Sequence, residues 1–336
     1  MSRITPEPLE RELFEAARLM AEHPPVWRHP NKQAVAAISC PPGSIHRGVI
    51  HYSRWAAMDL PAEIDARGAA RRVDGRDGFY DYAPVSGAEH GLEWHVNFAD
   101  PNLFVAYGSP LFAQDEMQVA EHPALGALSE SLAARGRQAV TSTLGRPSPV
   151  LVTGVERRCR IATDPDAGRR RPRGLYGNAF AAADAEAVRD ATTAIDPPTI
   201  TNLVAMAAPA YGAGRYTSQQ VERILTTAYT GFRAAALESA RQIGHGVPVF
   251  VHTGFWGCGA FGGNRVLMAI LQALAAEMAG VERLLFHTGG VRGEAPLRSA
   301  LQTIESTLTS TPLMETRALI ARTVDLGFKW GVSDGN

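Results

Sequence analysis

The chain has 336 residues and a mass of 36.0 kDa, and 45% of its residues are apolar. This is enough for one large domain or two ordinary ones with a sizeable core. The formal net charge of -1 gives no overall attraction to nucleic acid or to an anionic membrane, so we expect neither strong nucleic-acid binding nor a membrane partner. An anionic ligand would have to be held locally.

The three cysteines, Cys40, Cys159 and Cys258, lie far apart in the sequence. They can form neither a disulfide framework nor a zinc knuckle, which favours a reducing environment. Residues 1–20 carry acidic side chains where a secretory signal has its apolar segment. No uninterrupted apolar stretch reaches the roughly 18 residues that a membrane helix needs. We therefore expect a cytoplasmic protein.

Residues 1–90 carry mainly helical patterns. Apolar residues at three- and four-residue spacing predict an amphipathic helix over residues 6–21, and Pro24 and Pro25 end it. Short helical patterns then precede a polar, glycine-dotted stretch, "RGAARRVDGRDG", which is typical of an exposed loop. These patterns predict an N-terminal helical accessory region.

From residue 91 onward, short β-rich runs alternate with longer helical patterns. Such alternation is typical of a layered α/β fold built on a central sheet. We expect this core to span residues 91–290, and a C-terminal helical tail, residues 291–336, to pack on it. The predicted strands are residues 92–98, 149–155, 247–253 and 281–287, and the predicted helices are residues 114–132 with a break at Pro123, 218–241, 264–279, 297–308 and 314–324.

One loop within the core is strongly basic. The stretch "DPDAGRRRPRG", residues 164–174, places four arginines among glycine and proline, a composition that suits a mobile surface loop. A solvated basic loop is the simpler interpretation, and contact with ligand phosphates is the alternative.

The segment "VFVHTGFWGCGAFGGNRVLMAILQALAAEMAG", residues 249–280, predicts a strand, a glycine-rich turn and a helix. Unpaired backbone N–H groups and the positive end of the helix dipole would meet there, where an anion can sit. Phe255, Trp256 and Phe261 are available to stack on a base or ribose or to enclose it. The alternative is that the glycines only allow the strand and the helix to pack closely.

Two common nucleotide motifs fit this loop poorly. Residues 257–262 spell GxGxxG, but the next strand ends in Phe286, His287 and Thr288, without the acidic residue that a dinucleotide site uses to hold a ribose. No Lys-Ser or Lys-Thr follows the glycines as in a P-loop, because Asn264 and Arg265 stand there. The loop is therefore suited to bind a diphosphate without transferring it.

The sequence "TGFWGCGAFGGN", residues 253–264, closely resembles the signature "TGNWGCGAFGGD" of poly(ADP-ribose) glycohydrolases. The resemblance implies a macrodomain-like fold, with three α/β/α layers and a mixed central sheet, that binds an ADP-ribose-containing substrate. It also implies that the loop residues contact this substrate: Gly254, Phe255, Trp256, Gly257, Cys258, Gly259, Ala260 and Phe261.

Further segments resemble the family in the expected order. The stretch "VNFADPNLFVAYGSPLFAQDEMQ" is similar to the catalytic segment, in which "VDFAN" precedes a Gly-Gly-Gly loop and Gln-Glu-Glu. The spacing between Asp100 and Gln114 is the one expected of the family. The resemblance runs over residues 45–290. Other matching segments are "IHYSRW" (50–55), "VLVTGVE" (150–156), "TAID" (193–196) and "AYTGF" (228–232).

The resemblance implies a role for each polar residue of the catalytic segment. Glu116 would be the acid that protonates the leaving oxygen as a ribosyl bond breaks, and Asp115 would fix ribose hydroxyls. Two adjacent semi-buried carboxyls should raise each other's pKa. Judged from the residues alone, "QDE" at a helix start also suits the helix dipole. The further substrate contacts implied are Asn97, Asp100 and Gln114, and no metal or cofactor is implied.

The chain departs from the family pattern in the catalytic loop, where Phe104-Val105-Ala106 replaces Gly-Gly-Gly and Gly108 follows. We therefore expect a narrower substrate than polymer, either a mono-ADP-ribosylated acceptor or a small NAD-derived conjugate. An inactive ADP-ribose reader is the main alternative, and an NAD-dependent oxidoreductase is a third. His90 and His95 would point to opposite faces of a strand, which argues against a metal site, and His252 is expected to be a satisfied strand residue.

Overall fold

The computed structural model describes residues 6–86, 90–137, 139–309 and 313–333. The strands are β1 (Glu10–Glu15), β2 (Val49–Arg54), β3 (Glu63–Ile64), β4 (Val73–Arg76), β5 (Leu92–Phe98), β6 (Ser142–Thr143), β7 (Arg146–Pro147), β8 (Val150–Ile161), β9 (Thr192–Met206), β10 (Val249–Thr253), β11 (Arg283–His287) and β12 (Met314–Glu315). The helices are α1 (Ala16–Glu22), α2 (Pro30–Ser39), α3 (Gln114–Glu121), α4 (Pro123–Ala134), α5 (Asn178–Ala181), α6 (Ala185–Ala191), α7 (Ser218–Gln242), α8 (Arg265–Ala279), α9 (Val291–Thr303) and α10 (Thr316–Asp325).

Eight strands form one mixed sheet in the order β1-β2-β8-β9-β5-β10-β11-β4. The strands from β9 to β4 in this order are parallel to one another, whereas β1, β2 and β8 pair antiparallel. All five residues of strand β10 are buried, as expected of a parallel strand covered on both faces. The predicted strands near residues 92–98, 247–253 and 281–287 are thus adjacent to one another in the sheet.

Helices cover both faces of the sheet. On one face, α8 buries Leu267, Ile270 and Leu274 in the same core as Val251 of β10 and Phe286 of β11. On the other face, α4 buries Leu125 and Leu128 against Val150 and Val152 of β8. Because alternate residues of a strand point to opposite faces, the two cores are separated by the sheet. The predicted three-layer α/β/α fold with a mixed sheet is confirmed.

The N-terminal part contributes strands as well as helices. The helix predicted over residues 6–21 begins only at Ala16, because residues 10–15 form β1 and pair antiparallel with β2. Leu9 and Leu13, which suggested a helical apolar face, are 53% and 61% exposed. Strands β1, β2 and β4 all belong to the central sheet, so residues 6–76 are joined to the core by backbone hydrogen bonds.

The arrangement of the central strands creates one edge suited to a site. Strands β5, β10 and β11 are parallel, and their carboxyl ends meet at one edge, where open α/β sheets commonly bind ligands. The last residue pair of β5 and β10 is His95 with His252, and the two chains separate beyond it. In the part of the chain that the structure describes, no helix has the length and apolar character needed to cross a bilayer.

Candidate functional site

A cavity of about 510 Å³ lies at the carboxyl ends of β5, β10 and β11. The glycine loop, residues 254–261, forms one wall, and the start of α3 forms another through Ala113, Gln114 and Met117. The chain from His287 to Gly293, which leads from β11 into α9, closes a third side. Phe79, Tyr80, Phe98, Ala99, Tyr176 and Arg265 complete the lining.

The backbone of the glycine loop folds on itself and leaves several amides free. Gly263 donates to the carbonyl of Gly257 at 2.8 Å, and Gly262 donates to that of Gly259 at 3.0 Å. Within the described residues, the N–H groups of Gly259, Ala260 and Phe261 have no acceptor, although all three residues line the cavity. Successive free amides of this kind form a concave site for an anion. Free amides at these positions are what the predicted diphosphate-binding loop requires, and its binding role stays a prediction.

Tight packing beneath the loop sets its shape. Gly257 has φ of 73°, and a Cβ atom there would collide with Ala208, so a side chain is excluded both by conformation and by space. The buried Trp256 donates from Nε1 to the carbonyl of Met206 at 2.9 Å. Burial raises the pKa of the Cys258 thiol far above its ordinary value, so this cysteine is not a ready nucleophile.

The polar residues at the start of α3 bind mainly to protein groups. Gln114 accepts a hydrogen bond from the amide of Phe98 at 2.7 Å and donates to the carbonyl of Val96 at 3.1 Å, which holds the end of β5. Asp115 accepts from Asn97 Nδ2 at 3.0 Å. Glu116 accepts from the amide of Ala113 at 3.0 Å and thereby caps its own helix.

The pKa values of the two carboxyl groups in the first turn of α3, Asp115 and Glu116, are both raised. Burial raises the pKa of Asp115 well above its ordinary value, and the neighbouring Glu116 raises it further. Burial also raises the pKa of Glu116, while the nearby ammonium of Lys32 opposes that rise. Desolvation is thus the main cause for both residues, and the repulsion between carboxyls foreseen from the sequence is an additional contribution at Asp115.

The structure brings some of the predicted site residues together and leaves others outside the cavity. Gln114 and the predicted contacts from Gly254 to Phe261 line the cavity. Asn97, Asp100, Asp115 and Glu116 do not. Glu116 is 4% exposed and belongs to the helical turn whose residues Ala113, Gln114 and Met117 form the wall. The catalytic and substrate-binding roles of these residues remain predictions.

The segment that replaces the family's triple glycine lies away from the cavity. Phe104 has φ of 58° and is buried in the core with α1 and α4. Val105 is 58% exposed, and neither residue lines the cavity. Gly108 does not substitute for the lost glycines at the cavity, because it packs against Val26 and accepts a hydrogen bond from the amide of Arg28.

Two features near the cavity are absent from the sequence interpretation. The first is Lys32 of α2, which is 1% exposed and whose charge interacts with those of Asp115 and Glu116. The chain has only two lysines, Lys32 and Lys329, but their scarcity alone does not reveal a buried one. A helical pattern with one lysine normally places it in solvent, so no local signal could have found Lys32.

The second feature is a row of histidines on one face of the central strands. His287 lines the cavity, and its Nε2 lies 3.1 Å from Nδ1 of His252, whose Nε2 lies 3.0 Å from the Glu93 carboxylate. His287 Nδ1 donates to the carbonyl of Phe79, which fixes its tautomer when it is neutral. Hydrogen bonding of His252 agrees with the sequence interpretation. The described residues contain no group of three His, Cys, Asp or Glu arranged to hold a metal ion.

The basic loop forms ion pairs with acidic side chains. Arg170 forms ion pairs with Asp184, Glu186 and Asp190, all on the protein surface. None of the loop's arginines lines the cavity, which argues against contact with ligand phosphates, and Arg171 is buried and donates to the carbonyl of Asp164. Tyr176, just beyond the loop, stacks over Phe79 with ring centres 6.1 Å apart, and both rings line the cavity.

Residues 170–295 match the sequence model of a family described as "Poly (ADP-ribose) glycohydrolase (PARG), Macro domain fold". A solved poly(ADP-ribose) glycohydrolase from Thermomonospora curvata bound to the inhibitor ADP-HPD is 16% identical, with 81% of this chain and 97% of that chain covered and a TM-score of 0.49. Another structure of the T. curvata protein is 17% identical, with 88% and 85% covered and a TM-score of 0.42. A structure from Deinococcus radiodurans in complex with ADP-ribose is 15% identical, with 73% and 91% covered and a TM-score of 0.40.

The matched residues include the whole glycine loop and the chain from His287 to Gly293, which form two of the three cavity walls. The resemblance read from the sequence motifs is thereby confirmed. Residues 170–295 are therefore similar to the poly(ADP-ribose) glycohydrolase family, whose model describes a macrodomain fold.

Proposed function

We propose that this protein is a glycosidase that cleaves the ribose glycosidic bond of an ADP-ribosylated substrate. The observation that carries the proposal is the run of free amides at Gly259, Ala260 and Phe261 on the wall of the cavity. Amide donors without a lysine or a magnesium ligand suit a diphosphate that is bound and not transferred. The family whose model residues 170–295 match is named for the same class of bond.

The size and lining of the cavity support a nucleotide-sized ligand. Its volume of about 510 Å³ is within the usual range for small-molecule sites, roughly 300–1,000 Å³. Aromatic rings stand on two sides, with Phe79 and Tyr176 stacked together and Phe255 and Phe261 on the glycine loop. These rings offer flat apolar surfaces for a base or a ribose.

Glu116 is the acid that we assign to the reaction. Its raised pKa favours the protonated carboxyl that can donate to the leaving oxygen of an oxocarbenium-like transition state. After the leaving group departs, the ionised carboxylate can accept a proton from the attacking water. Asp115, which is held by Asn97, would orient the ribose hydroxyls.

We propose a substrate narrower than polymer. Phe104-Val105-Ala106 replaces the family's triple glycine. The Phe104 side chain packs in the hydrophobic core, so this segment does not present glycine backbone to a ligand. A mono-ADP-ribosylated acceptor or a small NAD-derived conjugate fits this loss better than a long chain. Parallel assays on polymer, mono-ADP-ribosylated protein and small conjugates test this, and faster turnover of polymer would contradict it.

Glu116→Gln tests the mechanism. A glutamine oxygen can still accept from the amide of Ala113, so the helix cap and the fold should survive. Loss of the acid should lower kcat by about 100-fold or more with little change in ADP-ribose affinity. Glu305→Gln, an exposed substitution in the C-terminal helical part, is the matched control. Full activity of Glu116→Gln on every ADP-ribosyl conjugate that the wild type cleaves would refute the assignment.

An ADP-ribose reader without turnover is the second candidate. The observation in its favour is that neither Asp115 nor Glu116 lines the cavity. A reader would bind ADP-ribose in calorimetry yet leave all conjugates intact over hours. Turnover that Glu116→Gln abolishes would exclude this candidate.

A further inference from the structure

One end of the cavity carries two arginines, from α8 and α9, that have no acidic partner among the described residues. Arg265 and Arg292 both line the cavity. In the described residues, neither guanidinium forms an ion pair or a hydrogen bond, and the contact recorded for Arg265 is with the ring of Phe255 at 5.2 Å. The nearest acidic side chain on α9, Glu294, pairs with Arg298. Two free guanidinium groups at one wall of a cavity suit an anionic group on a ligand.

Backbone donors are available at the same place. The first turn of α9 begins at Gly290, which has no side chain to cap it. At the start of α8, Asn264 Oδ1 accepts from the amides of Val266 and Leu267 at 3.1 Å each, while the amide of Arg265 has no acceptor among the described residues. In α9, the amide of Gly293 donates to the carbonyl of Gly290, and the amide of Arg292 has no acceptor among the described residues. The free helix N-terminal amides at the cavity wall are thus those of Arg292 and Arg265.

The packing of α9 brings these donors close to the arginines. A Cβ atom on Gly293 would collide with the carbonyl of Thr288, and it would lie 2.7 Å from the ring of Phe255. Glycine at this position allows the first turn of α9 to rest directly on Phe255. Arg265 contacts the same ring. Phe255 therefore lies between Arg265 and the first turn of α9, which carries Arg292.

An unused hydroxyl marks the same spot. Thr288 lines the cavity and is 6% exposed, and its buried Oγ1 has no hydrogen-bond partner among the described residues. A buried hydroxyl without a hydrogen-bond partner is energetically unfavourable, and a hydrogen bond to a ligand oxygen would remove that cost. Thr288 is thus a second feature, independent of the helix terminus, that points to an anion.

We propose that Arg265, Arg292, Thr288 and the start of α9 form a phosphomonoester subsite, separate from the diphosphate loop. This inference rests on the proposed function, because it takes the amides of residues 259–261 to hold the diphosphate. The subsite would accept a phosphate carried by the ADP-ribosyl substrate, such as a 2′-phosphate on its adenosine. A free phosphate bound beside ADP-ribose has the same chemistry and is the other source.

Calorimetry with ADP-ribose and with ADP-ribose 2′-phosphate tests the subsite. The wild type should bind the phosphorylated ligand about tenfold more tightly, since one charge-assisted hydrogen bond is worth that much. Arg292→Gln should remove this preference and change ADP-ribose affinity less than about twofold. Arg283→Gln, at the opposite end of β11, makes the same change in net charge and should leave both affinities unaltered.

Two further measurements separate the sources and guard against a folding defect. Inorganic phosphate is titrated into the ADP-ribose complex of the wild type and of Arg292→Gln. If phosphate binding depends on Arg292 and the 2′-phosphate does not increase nucleotide affinity, the subsite binds free phosphate. Thr288→Val removes the unpaired hydroxyl, so the melting temperature of the free protein should not fall while phosphomonoester affinity does.

The outcomes distinguish this inference from the proposed function. Equal losses of affinity for both nucleotides in Arg292→Gln would assign the arginine to the diphosphate and overturn the subsite. The subsite would also be overturned if neither inorganic phosphate nor the phosphorylated ligand depended on Arg292. If the wild type bound neither nucleotide, the proposed function itself would fail and the subsite with it.

Discussion

The ammonium of Lys32 donates a hydrogen bond of 2.6 Å to the backbone carbonyl of Tyr107. The same ammonium lies 5.1 Å from the ring centre of Phe112, just before the first turn of α3. Burial lowers the pKa of Lys32 to about 8, although the charges of Glu116 and Asp115 oppose the fall. Helix α2 therefore brings a buried cation to the loop that precedes the proposed catalytic acid.

A direct titration of Lys32 should reveal this interaction. With only two lysines, a chain labelled with ¹³C-lysine gives two side-chain Cε signals. The signal of Lys32 should titrate near pH 8, well below the roughly 10.4 of an ordinary lysine. In Glu116→Gln the midpoint should fall further, because the carboxylate that stabilises the ammonium is gone.

The second lysine and a surface variant provide the controls for that titration. Lys329 is exposed, so its signal should not respond to Glu116→Gln. Glu305→Gln should leave both signals in place. A Lys32 midpoint that does not move in Glu116→Gln would mean that the ammonium does not sense this carboxyl group.

Lys32→Met should shift the pH dependence of turnover. The Lys32 charge favours ionised Glu116 and thereby lowers the pKa of that carboxyl. Removing the charge raises the pKa, so the protonated acid persists to higher pH. The alkaline limb of the kcat/KM profile should therefore move to higher pH, whereas Lys329→Met should leave it unchanged. Reduced activity with an unmoved limb would indicate a purely structural role for Lys32.

The central strands and the glycine loop could be read from the sequence because their signals are local. Strand β5 spans the predicted residues 92–98, and β11 falls within the predicted residues 281–287. Helix α8 begins at Arg265 because Asn264 caps it, one residue after the predicted start. Periodicity, glycine and a capping side chain all act within a few residues of one another.

Features that depend on distant partners could not be read in this way. Residues 10–15 form a strand only because β2 offers an edge, and an apolar spacing that suits a helix cannot report that edge. Parallel pairing places His252 beside His95, which are far apart in the sequence. Lys32 reaches Tyr107 across two segments that no motif connects.

His95 should limit stability in acid. Its ring stacks 4.2 Å from that of His252 and 4.4 Å from that of Tyr82, and neither ring nitrogen has a hydrogen-bond partner in the described residues. Burial, followed by the nearby histidines, lowers the pKa of His95 well below its ordinary value. As the pH falls through about 6.5, His95 therefore binds a proton in the unfolded chain but not in the folded chain. The free energy of unfolding consequently decreases as the pH drops below that value.

His95→Phe keeps the stacking and removes both unpaired nitrogen atoms. Urea unfolding at pH 7.5 should show a gain of about 1–3 kcal/mol in the free energy of unfolding. The loss of stability between pH 7.5 and pH 5 should become smaller than in the wild type. His51→Phe, at an exposed position of β2, should not reproduce either effect. Destabilisation by His95→Phe at both pH values would show that the imidazole makes a favourable polar interaction.

Gly257→Ala should damage the glycine loop more than conformational strain alone can explain. Gly257 and Gly280 have nearly the same φ, 73° and 72°, but only Gly257 has a neighbour, Ala208, in the space that a Cβ atom would take. Gly280→Ala should therefore cost about 1 kcal/mol of stability, from the left-handed conformation. Gly257→Ala adds overpacking of about 1–3 kcal/mol, which urea unfolding would report.

The same pair of variants tests whether the loop holds the ligand. If the amides of residues 259–261 bind a diphosphate, displacement of Gly257 moves those donors out of position, and ADP-ribose affinity should fall about tenfold or more. Gly280→Ala leaves the loop in place, so calorimetry should give wild-type affinity. Equal affinities in the two variants, with Gly257→Ala measurably less stable, would mean that the clash is absorbed beneath the loop and that the free amides do not carry the binding.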